Sequence, residues 1–141
     1  MPEWLIPLHP KLVHFPLALF VTALGFDAVS LLFKNEGLHK TALNMYVLAA
    51  LVTPLVVRTG MWEAERLNLS HPILESHRTF ALWTMWLSLM SLPVLWSFKK
   101  WLPKYFRMLF VLFLIGVAGA VTLAGHNGGR MVYEYGVGVE E

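Results

Sequence analysis

The sequence predicts an all-α integral membrane protein, a four-helix up-down bundle made of two similar helical hairpins. Three observations predict it. The 141 residues are 57% hydrophobic and only 14% charged, with a mean hydropathy of +0.58. Soluble domains run at ~45–50% and ~25%, and so little charge would not cover a soluble surface. The apolar residues are also gathered into four blocks, each close to the ~20 residues a helix needs to cross a bilayer. Finally, short polar breaks separate the blocks, which makes neighbouring helices antiparallel. A closed barrel also satisfies its backbone in lipid, but the alternating ten-residue segments of a barrel are absent.

Taken in order, the first helix is expected over about residues 12–33, after His9-Pro10-Lys11-Leu12-Val13-His14-Phe15-Pro16 and before the break Lys34-Asn35-Glu36-Gly37. Residues 1–10 hold no Lys or Arg, so the start lacks the basic region of a cleaved signal, and the first apolar run is long enough to stay in the membrane. The second helix is expected over about 41–62, where Thr59, Gly60, Met61 and Trp62 extend a short apolar run. Residues 63–76 form the longest connection. The third helix is expected over about 77–98 and the fourth over about 105–125, parted by the basic stretch 99–107. All of this is one domain spanning 1–141.

Orientation is read from Lys and Arg. The first and third loops carry Lys34, Lys40, Lys99, Lys100, Lys104 and Arg107, and the opposite side carries Lys11, Arg58, Arg66, Arg78 and Arg130. The counts are close, but the bases of the third loop are compact, whereas those opposite are mixed with Glu63, Glu65, Glu75 and Glu134. Both termini are therefore expected outside the cytoplasm of a bacterial or archaeal plasma membrane. Trp4, Trp62, Tyr133 and Tyr135 mark one interface, and Trp96, Trp101 and Tyr105 the other.

Composition excludes several functions. With no cysteine there is no disulfide, no thiolate metal site, no covalently attached haem and no cysteine-held iron–sulfur cluster. The net charge of +2 and pI near 9.0 do not indicate nucleic-acid binding, because the bases sit in short loops where topology explains them. No phosphate-binding glycine loop or nucleophile triad is present.

An internal repeat is visible. His9-Pro10-Lys11-Leu12 with His14 resembles His71-Pro72-Ile73-Leu74 with His77, each before an odd-numbered helix. His9, His14, His71, His77 and His126 all fall on one side, while His39 lies on the other and is expected to be solvated. His14 and His77 are expected to face each other at similar depth. Two imidazoles so placed can clamp a haem iron between helices, with Arg58, Arg78, Arg130 and Lys11 at the level of the propionates. His9, His71 and His126 would serve as a second ligand set, propionate partners or helix caps. A lone interfacial histidine more often caps a helix or bonds a carbonyl, so the weight rests on the repeated pair.

Asp27 is the only acid inside an apolar run, and such a carboxylate tends to face the bundle interior. A hydrogen bond to Asn44 or Thr41 is the expected role, ahead of proton conduction. Glu63, Glu65 and Glu75 near His71 and His77 offer a non-haem metal alternative, but the helical Glu-x-x-His spacing is missing and Pro72 argues against helix at that point.

The motif H-P-x-x-V-H-F-P at 9–16 and the tail Gly128-Gly129-Arg130-Met131-Val132-Tyr133-Glu134-Tyr135-Gly136-Val137-Gly138-Val139 resemble the four-helix membrane proteins grouped as domain of unknown function DUF2231. The resemblance covers nearly the whole chain. It implies a membrane bundle and, because similar domains are joined in some chains to Rieske-type or cytochrome c-type modules, electron transfer. The family tail often reads Val-Tyr-x-His-Gly. Here Tyr135 stands in place of that histidine, which removes one candidate ligand.

The function expected from these readings is electron transfer by a b-type haem with His14 and His77 as axial ligands. The partners expected are the lipid bilayer, quinol or a periplasmic redox protein, and further copies or a larger membrane complex; nucleic acid is not one. The alternatives are a non-catalytic membrane subunit that docks a partner and a non-haem metal or proton-linked transport protein.

Overall fold

The computed structural model describes residues 8–98 and 104–137. In chain order the helices are α1 (Leu8–Leu12), α2 (His14–Phe33), α3 (Glu36–Arg66), α4 (Pro72–Phe98) and α5 (Lys104–Tyr133). With α1 and α2 taken as one span, four helices are long and apolar enough to cross a membrane. Neighbouring pairs are α2 with α3, α3 with α4, α4 with α5, and α5 with α2. The bundle is therefore closed, with α2 diagonal to α4 and α3 diagonal to α5. This is the expected fold class. Trp4, Trp101, Lys99, Lys100 and the last residues of the tail lie outside the described residues.

The helices are longer than the apolar blocks. α4 begins at Pro72, where helix was not expected, because the missing proline N–H costs nothing in the first helical turn. α5 runs through Gly128 and Gly129 to Tyr133, since bundle packing outweighs the low helix propensity of glycine. Between α2 and α3 the chain reverses in two residues. Lys34 takes a left-handed conformation with φ 51°, and the Asn35 side chain accepts a hydrogen bond from the Leu38 N–H at 3.1 Å. This cap sets the first turn of α3 squarely against the last turn of α2.

The axis is lined with small and polar side chains. On α3 the buried residues His39, Ala42, Tyr46, Ala49, Thr53 and Val56 alternate in steps of three and four, and on α5 the buried Phe110, Leu114, Val117 and Ala124 follow at steps of four, three and seven. Small residues let backbones approach in lipid, where packing rather than water expulsion drives association. Tyr46 is fully buried at the centre; its hydroxyl lies 2.6 Å from Ser91 Oγ, with the rings of Phe20, Phe110 and Phe113 around it. The outward surface is apolar, with Leu32 78% and Met90 71% exposed, which suits acyl chains and not water.

The two hairpins repeat, but in a different register from the one expected. His9 and His77 each bond a carbonyl 47 residues further along, on Val56 and Ala124. The shift that carries His9 onto His77 also carries Tyr46 onto Leu114, Ala49 onto Val117 and Thr59 onto Asn127, all buried. The H-P-x-L likeness of 9–12 to 71–74 is thus a likeness of helix starts, while the buried seam sets the true equivalence.

Tyr46→Phe is expected to cost about 0.5–1.5 kcal/mol through the lost hydroxyl bond, and Tyr46→Ala about 3–5 kcal/mol through the cavity left in the seam. Reversible unfolding in detergent measures both.

Candidate functional site

The end of the bundle that carries the chain termini holds a pair of histidines. Pro16 has no N–H for the carbonyl of Leu12, so one helical bond is lost there. Val13 nevertheless keeps helical dihedrals and its N–H donates to the His9 carbonyl at 3.0 Å, so α1 runs on into α2 and packs on α3. The His9 Nδ1 lies 3.0 Å from the Val56 carbonyl oxygen and 3.3 Å from Thr59 Oγ1. Across the axis, His77 Nδ1 lies 2.7 Å from the Ala124 carbonyl oxygen. A carbonyl only accepts, so both Nδ1 atoms carry the hydrogen, and a ring in its neutral form presents its lone pair at Nε2. The two rings stand 6.1 Å apart, centre to centre, at 87°.

Two glycines make room for these rings. A Cβ on Gly60 would come within 2.6 Å of the His9 ring, and one on Gly128 within 3.4 Å of the His77 ring. Alongside, Asn127 Nδ2 donates to Ser76 Oγ at 2.9 Å and ties α5 to the start of α4.

The other expected site residues do not join this pair. Five helical residues turn the chain through about 140°, so with His9 facing the axis His14 is turned outward and exposed. It is His9, not His14, that meets His77. His71 accepts a hydrogen bond from the Ile73 N–H at its Nδ1 and so caps α4; its ring packs 4.6 Å from Tyr135, the residue that replaces the family's tail histidine. His126 is exposed and lines a shallow cleft of about 270 Å³ with Gly129, Arg130, Tyr133 and Glu134. Arg130 is held by Glu134 at 2.8 Å and by the Tyr135 hydroxyl at 3.0 Å, and Arg58 lies over the Trp62 ring at 4.7 Å. Arg78 and Lys11 are exposed at the same end. Glu63, Glu65 and Glu75 do not converge with the histidines: among the described residues no three His, Asp or Glu groups are placed to share a metal.

The opposite end holds a site the sequence did not reveal. His39 is 5% exposed, not solvated, and its Nδ1 lies 2.5 Å from Asp27 Oδ1. Asp27 was expected to pair with Asn44 or Thr41. Instead Asn44 is exposed, and Thr41 donates to the carbonyl of Gly37. The cause is the two-residue turn at Lys34 and Asn35, which begins α3 early enough for its first turns to lie beside Asp27. The signal available was the α3 seam itself, in which His39 falls three residues before Ala42 and seven before Tyr46.

Gly60→Ala is expected to push the His9 ring off the Val56 carbonyl, while Gly128→Ala, a looser fit, is tolerated. The hydrogen-bonded His9 Nδ1–H signal in ¹⁵N NMR should vanish in the first variant and persist in the second.

The family described as predicted membrane protein, DUF2231, matches residues 5–141. Comparison with curated proteins and with solved structures finds no match. The sequence motifs, the four long apolar helices and this match over nearly the whole length agree: the chain belongs to the DUF2231 family of predicted membrane proteins.

Proposed function

We propose that this protein is a membrane electron carrier that holds a b-type haem at the terminal end of the bundle, with His9 and His77 as the axial ligands. The observation that carries the reading is the paired imidazoles, each fixed through Nδ1–H on a backbone carbonyl with Nε2 left as the donor. Ligand histidines are oriented in this way in metal sites, since the outer hydrogen bond sets the tautomer and the ring direction.

The donor set fits the group. Closed zinc sites take four protein ligands and catalytic ones three, but here two imidazoles stand without a third His, Asp or Glu ligand among the described residues. A porphyrin brings its own equatorial nitrogens and asks the protein only for axial ligands. The two ring centres stand 6.1 Å apart, and these two residues would hold the group. Exposed Arg78 and Lys11 are the cations free to meet propionates at this end; Arg130 is already engaged. Haem, when bound, supplies one-electron iron chemistry. The chain's own contribution is to hold two imidazoles in fixed orientation through their Nδ1 bonds. Quinol or an extracytoplasmic redox protein is the fitting partner, and the compact bases of the 99–107 loop support placing the termini outside the cytoplasm of a prokaryotic plasma membrane.

A second reading has an observation of its own. The bonds from His9 to Val56 and from His77 to Ala124 pin α1 to α3 and α4 to α5, which is a sufficient role for histidines in a non-catalytic docking subunit.

One experiment separates the two. The protein is expressed with added haem, purified, and its absorption recorded oxidised and then reduced. The haem reading expects a Soret band and sharp reduced α and β bands, lost in His9→Ala and in His77→Ala but kept in His14→Ala. A featureless visible spectrum, with the alanine variants merely less stable, overturns it in favour of the docking subunit.

A further inference from the structure

Far from the paired imidazoles, at the loop end, five side chains from three helices form one connected polar line. Glu36 on α3 is exposed at the surface. Its Oε1 accepts from Arg107 Nη1 of α5 at 2.6 Å, and Arg107 Nη2 donates to Ser30 Oγ of α2 at 2.9 Å. Ser30 donates to the Asp27 carbonyl at 2.7 Å and lies 3.3 Å from Asp27 Oδ1. Asp27 Oδ1 is 2.5 Å from His39 Nδ1. Side-chain exposure falls along the line from 68% at Glu36 to 13% at Arg107 and to 0% at Asp27, with His39 at 6%. Asp27 Oδ2 and His39 Nε2 are both buried without a protein partner.

From this geometry we infer that Asp27 and His39 form a proton-binding site, reached from water at the loop end and controlled by Glu36 through Arg107. The argument is one of charge balance. A membrane interior tolerates ionised groups only when they are paired. The bond between Asp27 and His39 holds one proton, and His39 Nε2 can take a second. With Glu36 engaged on Arg107, those two charges cancel, and Asp27 is balanced only if His39 carries the second proton. When Glu36 turns into water, Arg107 balances Asp27 instead, and His39 is neutral. Either state leaves the buried groups uncharged in sum, so proton uptake at His39 is linked to the position of an exposed carboxylate.

The surroundings leave these groups in charge of the balance. Around the pair, α2 contributes Asp27 and the exposed Lys34, α3 contributes Glu36, His39 and the exposed Lys40, and α5 contributes Arg107; α4 has no titratable residue over 91–98. The Phe110 ring stands 6.5 Å from the His39 ring, at 89° to it, and closes the site on its axial side. The inference is independent of the haem reading and would stand without it.

The test is ¹⁵N-histidine NMR of the full chain in lipid nanodiscs, titrated through ~pH 5–8. His39 should exchange one proton at Nε2 while Nδ1 stays hydrogen-bonded. In Glu36→Gln, a change at an exposed position, the share of His39 carrying the second proton should fall at every pH, because Arg107 is left without its counter-charge. In Asp27→Asn, His39 should be neutral throughout. A His39 signal that is constant across the range, or one that Glu36→Gln leaves unmoved, overturns the proposal. Should Asp27→Asn fail to fold, the Glu36→Gln comparison decides alone.

Discussion

Hydrocarbon offers no hydrogen-bond partner, so every polar group that enters this bundle must be met by another helix or by its own backbone. The arrangement follows from that. Thr53, Thr84 and Thr122 return their hydroxyls to the carbonyls four residues earlier, at 2.7–2.8 Å, and so cost the bundle little. The groups that cannot be satisfied locally sit where helices meet. Tyr46 reaches Ser91 on α4, His9 reaches Val56 on α3, His77 reaches Ala124 on α5, and Asp27 reaches His39 on α3. These contacts lie at the middle and the two ends of the axis, and they tie each helix to its neighbour more specifically than side-chain packing alone could in a solvent as apolar as the core.

The two ends differ in chemistry because their backbones differ. At the terminal end the histidines face helix carbonyls, which places a hydrogen on each Nδ1. At the loop end the histidine faces a carboxylate, and the charge of that pair is shared with Arg107 and Glu36. The same residue type thus serves opposite ends differently, according to what its Nδ1 meets.

Backbone approach makes both arrangements feasible. Gly60 admits the His9 ring where any Cβ would strike it. The first turn, which runs into α2 through a helical Val13, packs on α3 and brings His9 to the Val56 carbonyl. At the other end Lys34 accepts a left-handed conformation that most side chains resist at about 1–2 kcal/mol, and the Asn35 cap offsets part of that cost. The tight reversal that results is what brings His39 down to Asp27.

By itself the sequence determined the class and count of the helices, since length and apolar content are properties of each segment and the bilayer reads segments one at a time. It also determined that histidines crowd one end, whereas the H-P-x-L repeat it offered falls in a different register from the buried seam. Which histidines meet was decided only by the tertiary structure. Rotation about a helix changes by about 100° per residue, so with His9 turned to the axis His14 faces outward, and the register of the seam paired His9, not His14, with His77. The Asp27–His39 pair was hidden for a related reason. Its members fall on two sides of a loop boundary drawn from hydropathy, and only the early start of α3 at Glu36 carries His39 inside the bundle, where a carboxylate already required a partner.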